Sequence, residues 1–231
     1  MQPTIPVTPT DSIIATRKSV RAYKKDPVDP RLLEHILTFA ARAPSGTNMQ
    51  PWNVYVLTGD AKKRVTDTVC QAFDTAESGK YESEYKYYPE PFFEPYLSRR
   101  RKLGWDMYSL LGIGKGEREK TRLQQRRNYE FFDAPVGLLF TIHRKLPSGS
   151  FIDYGTFLEN IMLSAKSHGL DTCLQAGWSD YHEIIRKVTP IKPEELLLAG
   201  MAMGYADREA VIYGLKTERE PVSSFTTFLD K

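Results

Sequence analysis

Arg17, Lys18, Ser19 and Arg21 fall within one pentapeptide, RKSVR. Its guanidinium groups offer planar, paired donors, and Lys18 adds a compact charge. Such a set suits an anionic, oxygen-rich group, above all a phosphate ester. The same residues also describe an ordinary solvated surface, so the pentapeptide alone leaves both readings open. A second segment, APSGTNMQPW at 43–52, closes a helical pattern in small and polar residues and runs through Pro51 towards a strand. Ser45, Gly46 and Asn48 could let backbone approach a flat ligand while offering hydrogen bonds, or could simply form a turn.

Other chemistries find no residue set. His35, His143, His168 and His182 sit in separate elements without ligand spacing, and Cys70 and Cys173 form no CxxC pair. No metal is expected, and no Ser-His-Asp or Cys-His group is required. GIGKG at 112–116 lacks the Ser or Thr that a phosphate loop places after its lysine and follows no clear strand. It reads as a flexible hinge.

The positioning elements follow from periodicity and punctuation. A short helix is expected from Asp11 or Ser12 into Arg17. Asp29 with Pro30 opens a second helix, whose apolar face is Leu33, Ile36, Leu37 and Ala40. WNVYVLTG at 52–59 reads as a strand, followed by a charged amphipathic helix to about residue 80. PVGLLFTIH at 135–143 and LLLAGMAMGY at 196–205 are nearly continuous apolar strands, as a sheet covered on both faces requires. Between them Asp153 can cap a helix carrying Phe157, Leu158, Ile161, Met162 and Ala165, closed by Gly169. Asp180 with Glu183 resembles a capping box before Ile184, Ile185 and Val188. The tail 214–231 has too few apolar residues to fold alone and is expected to lie across another element or another subunit.

The stretch 81–116 is unlike the rest. Tyr81, Tyr85, Tyr87, Tyr88, Phe92, Phe93, Tyr96, Trp105 and Tyr108 stand among prolines and the basic run Arg99–Lys102. A long aromatic insertion of this kind reads as a functional lid. The whole chain, 1–231, reads as one α/β or α+β domain. A net charge of +3 is too small for a nucleic-acid partner, which demands a clustered basic face. No apolar run approaches the roughly 20 residues that span a bilayer. MQPTIPVTPT has no basic segment before an apolar stretch, and the distant cysteines suit a reducing compartment, so a cytoplasmic setting is expected.

Taken together, RKSVR, one intervening helix, APSGTNMQPW and the strand VYVLTG closely resemble the FMN-dependent nitroreductase family in residue type, order and spacing. The family pattern is R-x-S-x-R/K, then A-P-S-x-x-N-x-Q-P-W before a strand. The resemblance implies an α+β fold with a central mixed sheet flanked by helices, assembled as an intertwined homodimer with FMN at the subunit interface. A long helix near 153–168 would contribute to that interface. By the same resemblance, Arg17, Lys18, Ser19 and Arg21 hold the FMN phosphate and the pyrimidine edge of its ring. Pro44, Ser45, Gly46 and Asn48, extended by Gln50, reach the FMN held mainly by the partner subunit.

GLDTCLQAGWSD at 169–180 is similar to the family loop that passes beside the flavin, where a backbone amide faces N5. The matching positions are Leu174, Gln175, Ala176 and Gly177. Some relatives carry an acidic side chain where Ala176 stands, so any role there is backbone-borne. KTEREP at 216–221 resembles the C-terminal segment that supplies a phosphate-binding arginine, which is Arg219 here. The basic residue that some relatives carry two positions earlier is Thr217.

The implied activity is ping-pong reduction of nitroaromatics, quinones or similar flat acceptors, with NADH or NADPH as hydride donor. FMN carries the chemistry, so no side chain is assigned as catalytic. A deiodinase-like flavoenzyme of the same superfamily is the nearest rival: Glu84 and Tyr88 have a matching spacing, but Tyr129 occupies the place of its lysine before DAP. A non-catalytic FMN carrier or sensor is a further alternative. The flavin-fragmenting relatives fit less well, since their lids are poor in aromatics.

Overall fold

The computed structural model describes residues 5–75 and 80–229. Four strands form one sheet in the order β1-β2-β4-β3: β1 (Asn53–Leu57), β2 (Val136–His143), β3 (Asp171–Gln175) and β4 (Glu195–Gly204). All three pairings between these strands are antiparallel. The sheet is mixed only through a parallel bridge between Ser19 and Thr172, where the Val20 N–H donates to the Thr172 carbonyl at 3.0 Å.

Both faces are covered, which explains the unbroken apolar runs of β2 and β4. On one face Leu139 packs with Val65 and Val69 of α3 (Gly59–Thr75) and Ile185 of α7 (His182–Arg186). On the other, Leu138 and Phe140 pack with Ile36 of α2 (Pro30–Ala40) and with Phe157 and Ile161 of α6 (Ser150–Ser167). Burying each large apolar side chain contributes about 1.5–3 kcal/mol, so these two cores hold the scaffold. Tyr154 of α6 is also buried, and its hydroxyl donates to the carbonyls of Asn53 and Thr141 at 2.8 and 3.1 Å, tying the helix to β1 and β2.

The Asp29 cap and Pro30 open α2 as the sequence implies, with Asp29 accepting from the Arg31 N–H. Other boundaries differ. The first helix, α1 (Pro9–Thr16), starts earlier than Asp11, because Thr8 and Asp11 close a reciprocal capping box and Pro9 suits the first turn. α6 starts at Ser150, so Asp153 lies inside its first turn and caps nothing; its carboxylate bonds another element. Asp180 does not cap α7 either, since the preceding residues 176–181 already form a 3-10 turn. Residues 171–175 of the anticipated loop form a strand, because pairing with β4 satisfies their backbone. α3 is described to Thr75, and its expected end near 80 falls beside residues 76–79, outside the described ones.

The aromatic stretch contains a helix that no apolar stripe marked, α4 (Tyr96–Leu110), followed by α5 (Arg118–Arg126). α4 buries none of its residues. GIGKG forms the turn between the two helices, with Gly112 and Gly116 at φ of 66° and 94°. No helix among the described residues is long and apolar enough to cross a membrane.

Candidate functional site

Residues 17–24 are stitched along the sheet at several points. Besides the Ser19–Thr172 bridge, Lys24 N–H donates to the Tyr205 carbonyl at 2.8 Å and Asp207 N–H to that of Ala22 at 3.0 Å. This backbone pairing holds RKSVR against β3, burying Val20 in the core and leaving Arg17, Lys18, Ser19 and Arg21 outside it. These four line a cavity of about 820 Å³, within the usual range of about 300–1,000 Å³ for small-molecule sites. α4 supplies a second wall through Ser98, Arg99, Lys102, Leu103 and Asp106, and the tail from Leu215 to Pro221 supplies a third.

Six cations face this cavity: Arg17, Lys18, Arg21, Arg99, Lys102 and Arg219. Three carboxylates accompany them, those of Asp106, Glu218 and Glu220. The acids are spent on α4: Arg99 pairs with Glu220 at 3.1 Å, and Lys102 with Asp106 at 2.8 Å and Glu218 at 3.6 Å. Arg17 meets Glu159 of α6 at 3.4 Å. Lys18, Arg21 and Arg219 have no carboxylate partner among the described residues.

Each of these three is held by neutral groups. Lys18 lies over the Tyr213 ring, 3.6 Å from its centroid, and donates to the Tyr213 carbonyl. Burial pushes its pKa down, against the opposing charge of Asp171. Arg21 donates to the Ser19 carbonyl at 3.3 Å. Arg219 donates to the Thr217 hydroxyl at 2.8 Å and the Glu218 carbonyl at 2.9 Å. Thr217 therefore anchors Arg219. Unmatched guanidinium and ammonium groups beside the Ser19 hydroxyl are a donor set that fits the phosphate of FMN.

The second segment lies elsewhere. Pro44, Ser45, Gly46, Asn48 and Gln50 do not line the cavity. They cross the N-terminal half of α6, and Thr47 to Gln50 are exposed. Thr47, Asn48 and Gln50 have φ of 49°, 60° and 50°. Non-glycine residues in that region cost on the order of 1–3 kcal/mol each, asparagine least, and such strain gathers at functional sites. Local bonds offset it: the Ser45 hydroxyl accepts the Gln50 N–H at 2.9 Å, and the Gln50 side chain donates to the Asn48 carbonyl at 3.3 Å. Trp52 ends the segment stacked on Phe157, with ring centroids 4.7 Å apart.

The third segment is half strand and half turn. Leu174 and Gln175 pair with Met201 and Gly200, while Ala176 and Gly177 open the 3-10 turn. Gln175 is turned inwards and donates to the Asn128 carbonyl at 2.7 Å, so its side chain is committed to the scaffold. A Cβ at Gly177 would stand 3.3 Å from the Tyr129 hydroxyl, so the glycine lets the turn approach that ring closely.

The chain thus brings together Arg17, Lys18, Ser19, Arg21 and Arg219, and leaves the other two segments outside their cavity. Sequence reading missed Arg99, Lys102, Leu103 and Asp106 as wall residues. Their spacing of three, four and seven is the helical signal that could have found them. Among the described residues no cluster of three or more His, Cys, Asp or Glu could hold a metal.

Known proteins match this chain almost end to end. The model of the nitroreductase family matches residues 14–205. The chain is 39% identical over 219 residues to a chloronitrobenzene nitroreductase of Comamonas testosteroni, covering 95% of this chain and 96% of that protein. It is 40% identical over 220 residues to a 4-nitrobenzoate reductase of Nocardioides sp. (strain LMS-CY), covering 95% and 89% respectively. Among solved structures, the FMN and NADPH-dependent nitroreductase NfnB of sphigopyxis sp. strain HMH superposes with a TM-score of 0.93 at 32% identity, over 97% of this chain and 100% of that one.

Proposed function

The chain belongs to the nitroreductase family, and from that premise we propose that it is an FMN-dependent NAD(P)H oxidoreductase reducing nitroaromatics, quinones or similar flat acceptors. The observation that carries the reading is the trio of unmatched cations, Lys18, Arg21 and Arg219, in a cavity of ligand size. Bound FMN would supply two-electron transfer between a nicotinamide and the acceptor.

The chain's own residues do the positioning. Arg17, Lys18, Ser19 and Arg219 hold the phosphate. Arg21 brings positive charge to the pyrimidine edge of the ring. The backbone at Ala176 and Gly177 presents an amide to N5. The separation of Pro44–Gln50 from the phosphate cavity supports a homodimer in which that segment meets the partner's FMN. Aromatic residues of the 81–116 stretch cover the face where nicotinamide and acceptor alternate, and the protein works in the cytoplasm.

The deiodinase-like reading is disfavoured by Glu84. Its carboxylate is engaged by Arg144, by Arg186 at 3.2 Å and by His182 at 3.3 Å, so it is not free to grasp an amino-acid substrate. Tyr129, in the place of that branch's lysine, is buried against Phe73, Trp178 and Tyr181.

The test is a visible spectrum of the purified protein, followed by anaerobic NADH or NADPH. Flavin bands that bleach, then recover when a nitroarene or quinone is added, are the expected result. Flavin that never bleaches would point to a carrier or to deiodination. Failure to take up FMN on reconstitution would refute the reading.

A further inference from the structure

We propose that Asp153 is a positioning residue for the cofactor site: it holds the strained segment 45–50 in the conformation that meets the flavin. The inference rests on the FMN reading above. Its carboxylate accepts the Gly46 N–H at 3.1 Å across 107 residues of sequence. Gly46 opens the short turn in which Thr47, Asn48 and then Gln50 take positive φ. The bonds within that turn, from Gln50 to Ser45 and to Asn48, close the loop on itself but attach it to nothing.

Attachment comes from α6. Asp153, Thr156 and Asn160 lie three and four residues apart on one helix face; the first two reach the α2–β1 connection and Asn160 the last residue of α2. Thr156 and Asn160 donate to the carbonyls of Pro44 and Ala40, at 3.3 Å each, before the strained stretch begins. Asp153 alone of the three grips a residue inside it.

Nothing else claims this carboxylate. It lies in the first turn of α6 yet makes no capping bond to that helix, and no cation pairs with it among the described residues. A charged acceptor on a backbone N–H is a stronger tie than a neutral one, and a preorganised loop binds without first being ordered. A Cβ at Gly46 would meet only the Asp153 oxygen at 3.8 Å and the Met49 methyl at 3.9 Å, so no close packing constrains Gly46 itself.

Three variants of the full chain test the assignment: Asp153→Ala, Asp153→Asn and Thr156→Val. Two readouts are needed, FMN dissociation constants from titration of the apoprotein and amide hydrogen exchange of residues 45–50. Asp153→Ala should weaken FMN about tenfold and speed exchange at Gly46. Asp153→Asn, which keeps an acceptor oxygen but loses the charge, should fall between wild type and Asp153→Ala in both. Thr156→Val should leave FMN affinity unchanged.

Unchanged affinity in Asp153→Ala, with only a lower melting temperature, would overturn the proposal and leave Asp153 a structural residue. Equal losses in the Ala and Asn variants would do the same, since the acceptor oxygen that Asn retains would then hold nothing. Should Asp153→Ala fail to fold, Gly46 exchange and FMN affinity in Asp153→Asn and Thr156→Val still decide: loss of both in Thr156→Val would remove any special role. A wild-type protein that binds no FMN would sink the functional reading instead.

Discussion

The indole of Trp178 stacks on the ring of Phe131, with centroids 4.2 Å apart and planes 20° from parallel. Both rings use space that other residues would fill on the strands beneath them. A Cβ at Gly137 would stand 2.5 Å from the Phe131 ring, and one at Gly200 would collide with Trp178. Trp178 directly follows Ala176 and Gly177, so this stack is the floor of the turn assigned to the flavin N5 amide.

Gly200→Ala should therefore destabilise the protein by about 1–3 kcal/mol, the usual cost of overpacking a filled core. It should also disturb the 176–177 turn. Denaturant unfolding checks the first effect and FMN affinity the second. An unchanged unfolding midpoint would show that the stack can shift without cost.

Arg219→Ala removes a cation that no carboxylate matches, so its loss should appear in binding and not in folding. A charged hydrogen bond contributes about 1.5–3 kcal/mol, equivalent to about a tenfold to hundredfold weaker FMN complex. Arg17→Ala should lower FMN occupancy too, with a small added cost from freeing the half-exposed Glu159. A variant purified with full stoichiometric flavin would contradict the phosphate role of that arginine.

Gly46→Trp tests the cross-subunit placement. Around Gly46 the protomer offers open space, with no atom closer than 3.8 Å to an added Cβ. A tryptophan there should fold normally yet obstruct the partner's flavin site. Unchanged FMN binding and turnover would count against a shared site.

Acid lability should trace in part to Glu84. Burial raises its pKa, but the Arg144 hydrogen bond and the charges of His182, Arg144 and Arg186 outweigh that and hold it below the ordinary 4.5. A carboxylate with a depressed folded pKa contributes stability that is present above its unfolded pKa and is lost as pH falls through the folded one. Glu84→Gln should cost about 1–3 kcal/mol at neutral pH and flatten the loss of stability below pH 4.5. Melting curves from pH 7 to 3 check this. A variant as acid-sensitive as wild type would exclude Glu84 as a source.

Much of the fold was legible because its causes are local or periodic. Asp29 and Pro30 mark the start of α2 by cap chemistry alone, and the continuous apolar runs of β2 and β4 announce strands covered on both faces. One wall of the cavity was legible because Arg17, Lys18, Ser19 and Arg21 are sequence neighbours. α4 was hidden because a helix that buries none of its residues leaves no hydrophobic stripe to read. Asp153 and Asp180 carried the right residue type for caps, yet the backbone entered each helix elsewhere.

The sequence by itself determined the family pattern, the elements built on local propensity and the residue types along the 17–21 wall of the cavity. Only the tertiary structure decided which charges remain available. Glu218 and Glu220 flank Arg219 in the chain, but pairing with Lys102 and Arg99 draws them to α4 and leaves Arg219 unmatched. Tertiary structure alone also joined Asp153 to Gly46. Coulombic and hydrogen-bond partners depend on distance in space, and that distance exists only once the sheet and its two cores have closed.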